Sequence, residues 1–178
     1  VTTHEEKIAA LAKTIGFSQI STSHATSPMI KFVGRGDTTV ADAYLSPILR
    51  RYIDRLATDL DGSAQTKLQM MQSNGGLTDA VLFQGKDAIL SGPAGGIVGA
   101  VKTANQAGFD KVITFDMGGT STDVAHYDGG YERVFDTMVA GVRIHAPMLL
   151  IHTVAAGGGS LCRFDNGRFQ VGPESAGA

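Results

Sequence analysis

An apolar run, Val112 to Phe115, delivers Asp116 to a Gly118-Gly119 pair, and a hydroxyl run, Thr120-Ser121-Thr122, carries the chain away to Asp123. Those residues leave few choices. The apolar run predicts a buried strand, the two glycines a reversal, and the segment from Thr122 to Tyr127 a second strand paired with the first. Such a turn presents backbone N–H groups and three hydroxyls to an anion, with carboxylates beside them for a divalent cation. It is expected to be a phosphate-binding hairpin of an ATP-using enzyme. The plainer reading, Asp116 capping its own turn, stays open at this point.

The glycines elsewhere repeat the theme. There are 23 in 178 residues, against an ordinary share of about 7%, and they cluster at 75–76, 92–99, 118–119, 129–130 and 157–159. That spacing predicts tight turns and close backbone approaches. Ser91-Gly92-Pro93-Ala94-Gly95-Gly96 opens a predicted helix in which Gly95 and Gly99, and Gly96 and Ala100, fall four apart, so one flank carries almost no side chains. Either another helix packs there, or a nucleotide lies at the N-terminus, where free N–H groups favour anions; the two are compatible. The run Gly157-Gly158-Gly159-Ser160 either approaches nucleotide or substrate or forms a tight turn before the last hairpin.

Along the rest of the chain, Thr3 and Glu6 have capping-box spacing, and Ile8, Leu11, Ala12 and Ile15 predict a helix ended by Gly16. Ile20–His24 and Met29–Val33 are expected as short strands. Leu45, Ile48, Leu49, Tyr52, Ile53, Leu56 and Leu60 form an apolar stripe, predicting a helix over 38–60 that kinks or starts near Pro47 and ends at Asp61-Gly62. Arg50, Arg51 and Arg55 are assigned to its solvated face. A strand is expected over 68–72, a turn at Asn74-Gly75-Gly76, a short helix over 78–84 and a strand over 87–90. Tyr131–Thr137 is expected as the third strand of a meander, after a turn at Asp128-Gly129-Gly130, and Met148–Val154 as a fourth. Leu161–Asp165 and Arg168–Val171 close the chain as a hairpin, its type I′ turn marked by Asn166-Gly167. The class is α/β or α+β.

A net charge of −2 gives no electrostatic case for nucleic acid or an anionic membrane, and no apolar run reaches the roughly 18 residues of a membrane-spanning helix. The single cysteine, Cys162, forms no internal disulfide and fits a reducing cytoplasm. There is no P-loop, no dinucleotide fingerprint, no nucleophile elbow and no zinc-protease motif. His4, His24, His145, Cys162 and Met117 are assigned no functional role. The chain opens without Met and stops at Gly172–Ala178 without a closing element, and is expected to be part of something longer.

Five motifs in register carry a resemblance: Met71-Gln72-Ser73-Asn74-Gly75-Gly76, Ser91–Gly96, Phe115–Val124, His152-Thr153-Val154 with Gly157–Ser160, and Val171–Ala178. Together they resemble the hydantoinase A/5-oxoprolinase family, which also includes subunits of ketone carboxylases. The resemblance covers the chain from about Thr38. It implies residues 1–36 as the end of a preceding N-terminal region, and 37–178 as the hydantoinase A/oxoprolinase domain, incomplete at its C-terminus. The implied fold is an α/β, actin-like ATPase (ribonuclease H-like) lobe, a mixed sheet with hairpins and flanking helices, from a two-lobed protein that closes on ATP and Mg²⁺.

The implied activity is ATP-dependent opening of a cyclic amide, with phosphorylation of the amide oxygen before ring opening. A ketone-carboxylase subunit is the alternative, and a non-catalytic nucleotide-binding module a third. The first phosphate loop and the completed adenosine pocket are expected outside this sequence, so the piece alone is expected to be inactive. In these terms Asp116 is assigned to Mg²⁺ and, with Asp123, to catalysis. Gly118, Gly119, Thr120, Ser121, Thr122, Ser91, Gly92, Gly157, Gly158 and Gly159 are assigned to the nucleotide. A hydantoinase B-like partner is implied as well. The family commonly has Gly where Ala155 stands and an acidic residue where Leu150 precedes Ile151-His152; without that carboxylate, His152 is expected to be a core histidine.

Overall fold

The computed structural model describes residues 2–60 and 67–177. The chain divides into two packing units, one of Val1–Ser91 with Arg133–Met148, the other of Gly92–Glu132 with Leu149–Ala178.

The first unit opens with α1 (Thr3–Ile15), closed by Gly16 in the left-handed conformation at φ 102°, where a Cβ would be strained. The capping box does not form: Thr2 is the N-cap, with no side-chain bond. Glu5, the neighbour of the box residue Glu6 in the first turn, accepts from the Ser23 hydroxyl and lies 2.9 Å from His24 Nδ1. The Ser23 bond first, then His24, holds the Glu5 carboxyl at about 2. Neither expected early strand exists. His24 falls in a short helix, α2 (Ser23–Thr26), and Phe32 already begins α3 (Phe32–Leu60).

That early start has a packing cause. Gly34, Thr38 and Asp42 are buried at one-turn spacing. Thr38 Oγ1 bonds the Gly34 carbonyl at 2.7 Å and accepts His145 N–H at 2.7 Å. Pro47 neither starts nor ends α3; its missing N–H sacrifices one intrahelical bond inside a 29-residue helix. Of the three arginines on the expected solvated face, Arg50 is turned inward and donates to the carbonyls of Ala80 (3.2 Å) and Phe83 (3.0 Å). The expected stop at Asp61-Gly62 lies outside the described residues.

The hairpin of β1 (Gln69–Met71) and β2 (Leu77–Asp79) turns at Gly75, φ 82°. The expected helix over 78–84 is instead the end of β2 plus one 3-10 turn, Ala80–Leu82, begun by Asp79 accepting Val81 N–H at 3.0 Å. The expected strand over 87–90 is α4 (Gly85–Ala88) and a left-handed Leu90. Gly85 is needed there, since a Cβ would lie 2.9 Å from the Asp42 carbonyl and from Leu45 Cβ on α3.

The second unit holds α5 (Ser91–Gln106, apart from Ser91 itself), β3 (Lys111–Met117) and β4 (Thr122–Asp128). The third strand of the expected meander does not follow. After an isolated bridge between Tyr127 and Tyr131, the chain goes to β5 (Arg133–Val139), which pairs with β6 (Val142–Leu149). The two-residue Ala140-Gly141 turn, both φ positive, sets that pairing. The expected single strand over 148–154 is therefore split between the end of β6 and β7 (His152–Val154), which pairs antiparallel with β4. β8 (Ser160–Asp165) and β9 (Arg168–Ser175) form the predicted closing hairpin through left-handed Asn166 and Gly167.

Among the described residues the strands thus gather in four small sheets. In the second unit, Ala94, Ile97 and Val101 of α5 pack on Ala125 and Leu149. In the first, Ile53, Ala80 and Phe83 form one cluster, and Ile144, Ala146 and Met148 another. No described helix is long and apolar enough to cross a membrane.

Candidate functional site

Strand alternation decides which side chains share a face. On β3, Val112, Thr114 and Asp116 point one way; their partners on β4 are Tyr127, Ala125 and Asp123. Ala125 and Tyr127 pack with α5, so this is the helix-covered face, and Asp116 and Asp123 lie opposite each other at its open end. A Cβ placed on Gly96 of α5 would sit 3.7 Å from Asp116 Oδ2. The bare helix flank read in the sequence accommodates a carboxylate.

The row continues onto β7. Thr153 faces Asp123 in register, and its hydroxyl donates to Asp123 Oδ1 at 2.6 Å. Like charges directly opposite on a ladder destabilise it, yet neither Asp116 nor Asp123 joins an ion pair among the described residues. The arrangement suits a cation. No group of three or more His, Cys, Asp or Glu able to hold a metal occurs among the described residues, and Mg²⁺ ordinarily uses one or two carboxylates plus phosphate and water.

Gly118 to Ser121 form the hairpin tip. Gly118 N–H donates to the Ser121 carbonyl at 2.9 Å. The N–H groups of Gly119, Thr120 and Ser121 have no acceptor among the described residues. Gly118 does not have a left-handed φ, and a Cβ there would meet only the Ser121 carbonyl, at 3.6 Å. Its own chain would tolerate a side chain; leaving it bare keeps room beside the tip. Thr122 is buried, and its hydroxyl is spent inward on the Ala156 carbonyl at 2.6 Å.

The glycine run after β7 lies directly against this tip. Gly158 N–H bonds the Gly118 carbonyl at 2.9 Å, Gly159 N–H bonds the Gly119 carbonyl at 2.7 Å, and Gly157 N–H bonds Ser160 Oγ at 2.8 Å. The donors of all three glycines are engaged within the chain. A Cβ on Gly157 would stand 2.5 Å from the Gly118 carbonyl oxygen, so glycine is demanded by this approach.

Ser91 and Gly92 are the first two residues of α5, one turn before Gly96. His152 is exposed, and its register partner is Val124, which puts it on the face away from Asp123. The core-histidine expectation fails because all three residues of β7 are exposed, and alternation puts Thr153, not His152, on the Asp123 side. Sequence reasoning placed Ser160 in the candidate glycine run but missed Thr153 and Ser175 as members of this region. No local signal marks either, since Thr153 meets Asp123 across 30 residues and Ser175 meets Gly119 across 56.

A model of the hydantoinase/oxoprolinase family matches residues 35–178. The 5-oxoprolinase of Saccharomyces cerevisiae is 49% identical over 98% of this chain, which spans 14% of that protein's length. Caprolactamase subunit alpha of Pseudomonas jessenii is 39% identical over 98% of the chain, 26% of the subunit. The crystal structure of that ATP-dependent caprolactamase superposes with a TM-score of 0.82, covering 99% of this chain and 26% of that one. Nucleotide-free acetone carboxylase, described for ATP-dependent acetone carboxylation, gives 0.80 at 25% identity, again over 99% and 26%.

Proposed function

Because the chain belongs to the hydantoinase/oxoprolinase family, we propose that it forms part of an ATP-dependent enzyme that opens a cyclic amide. The observation that carries this reading is the hairpin tip, whose three N–H groups are unclaimed among the described residues, next to two opposed carboxylates with no basic partner among those residues. The residues fit the groups the family implies. Asp116, with Asp123 across the ladder, would hold Mg²⁺, which neutralises phosphate charge when bound. The N–H groups of Gly119, Thr120 and Ser121 and the hydroxyls of Thr120 and Ser121 would hold phosphate oxygens, with Ser91 and Gly92 at the start of α5 contributing free helix-end donors.

ATP supplies the phosphoryl group that makes the amide oxygen a leaving group. What this chain does is hold and orient. Thr153 fixes the Asp123 carboxylate through its 2.6 Å bond, Thr122 ties the start of β4 to Ala156, and the tip donors are in place before any ligand arrives, so no reorganisation is charged to the reaction. Asp123 is the candidate for orienting the attacking group. Gly157, Gly158 and Gly159 shape the cradle through the tip carbonyls. The proposal includes the actin-like ATPase lobe, a hydantoinase B-like partner, in line with the subunit designation of the caprolactamase relative, and, with one cysteine in the sequence, a cytoplasmic setting.

A ketone-carboxylase subunit is the second reading, favoured by the superposition on acetone carboxylase. The two separate by assay. The intact enzyme, given ATP with 5-oxoproline, a hydantoin or a lactam, is expected to release the ring-opened product with ADP. Turnover only with a ketone and bicarbonate would replace the first reading by the second.

A further inference from the structure

Within that phosphate reading, one property of the tip follows from peptide geometry. In a trans peptide the carbonyl of one residue and the N–H of the next point in opposite directions. The Gly118 carbonyl is held toward Gly158 N–H (2.9 Å), so the Gly119 N–H is turned away from the 157–159 loop. The Gly119 carbonyl accepts Gly159 N–H at 2.7 Å and the Ser175 hydroxyl at 3.2 Å, so the Thr120 N–H is turned away too. Two adjacent donors are thereby aimed outward by bonds made on the other side of the same peptides.

The clamp is itself braced. Ser160 Oγ accepts Gly157 N–H at 2.8 Å, and the Gly159 carbonyl accepts Ala176 N–H at 2.8 Å. Gly177 N–H donates to Ser175 Oγ at 3.0 Å, which occupies a lone pair of that hydroxyl and leaves its proton for the Gly119 carbonyl. Gly159 is held between the carbonyls of Gly177 and Gly119 with no room for a Cβ.

We infer that Ser175, on the last strand, is a positioning residue for the phosphate cradle: it acts through the Gly119 carbonyl to fix the direction of the Thr120 N–H. Ser160 serves the same latch from the loop side. Neither touches the reacting atoms. The ligand class is the phosphate of a nucleotide, and the effect is specific to it.

The test uses the intact enzyme with Mg-ATP and its cyclic amide. Ser175→Ala is expected to raise the KM for ATP about fivefold, the effect of one lost hydrogen bond, with the KM for the cyclic amide unchanged. Ser175→Thr, which keeps the hydroxyl, is expected to restore the ATP KM. Ser160→Ala is expected to shift the ATP KM in the same sense, and stands in for Ser175→Ala should that variant fold poorly. Loss of kcat at an unchanged ATP KM, or an equal rise for Ser175→Thr, would overturn the positioning role and mark Ser175 as merely structural. A wild-type enzyme with no ATP-dependent turnover would overturn the phosphate reading itself, whereas wild-type turnover with indifferent serine variants would overturn only this inference.

Discussion

The second unit contains two hairpin tips built on opposite principles. At Asn166-Gly167 the turn satisfies itself: both residues have positive φ, 48° and 76°, the type I′ geometry that matches strand twist, and a Cβ on Gly167 would meet nothing. At the Gly118–Ser121 tip, Gly118 is not required by φ or by the chain's own space, and the tip is held by the 157–159 loop and Ser175 from outside. The first tip needs only its own two residues. The second collects bonds from 40 or more positions away and still leaves three N–H groups with no acceptor among the described residues. A turn that takes so much outside support, and spends none of those donors, is what the proposed phosphate role calls for.

The comparison can be broken at several strengths. The largest effect is expected from Asp116→Asn in the intact enzyme, where ATP-dependent turnover should fall about a hundredfold or more with the fold unchanged by circular dichroism. Wild-type turnover would remove Asp116 from the mechanism. Gly157→Ala drives a Cβ against the Gly118 carbonyl and should displace the tip. Its expected cost is about 1–3 kcal/mol of stability, seen in thermal melts, together with a loss of turnover beyond what the folded fraction explains. Gly167→Ala is the matching change at the self-satisfied tip. It should cost about 1 kcal/mol for the positive φ and leave turnover per folded molecule as in the wild type. Equal activity losses from the two alanines would erase the distinction between the hairpins.

The smallest effect lies in the first unit and serves as a control. The Glu5 carboxyl is held at about 2, below its ordinary 4.5, by the Ser23 hydroxyl and then His24. A depressed carboxylate contributes stability that is fully present above its unfolded value and lost as the pH falls through the folded one. Glu5→Gln should therefore be less stable than wild type above pH 4.5, with the gap closing from there toward about pH 2. Acid melts of the two proteins check this, and a constant gap across that window would contradict it.

What could be read in the sequence was whatever is local. Asn166-Gly167 and Gly16 carry their geometry in one or two residues and stand as expected; the strand before Asp116 forms, but it is not the buried strand expected, since Ile113 and Phe115 on its other face are exposed. The failures share a cause. Tyr131–Thr137 looked like the next strand of a meander, but β5 found its partner ahead in β6. Arg50 looked solvent-facing because its acceptors, the carbonyls of Ala80 and Phe83, are 30 and 33 residues on. The same holds at the site. Asp116, Asp123 and the tip glycines were legible as a pattern, whereas the clamp from Gly158, Gly159 and Ser175 exists only once separate segments meet.

Titration of Mg-ATP into the intact protein, followed calorimetrically, tests the central claim most directly. The account predicts saturable binding that weakens when Asp116 is replaced by Asn. Absence of heat at millimolar nucleotide would contradict it and remove the phosphate role of the Gly118–Ser121 tip.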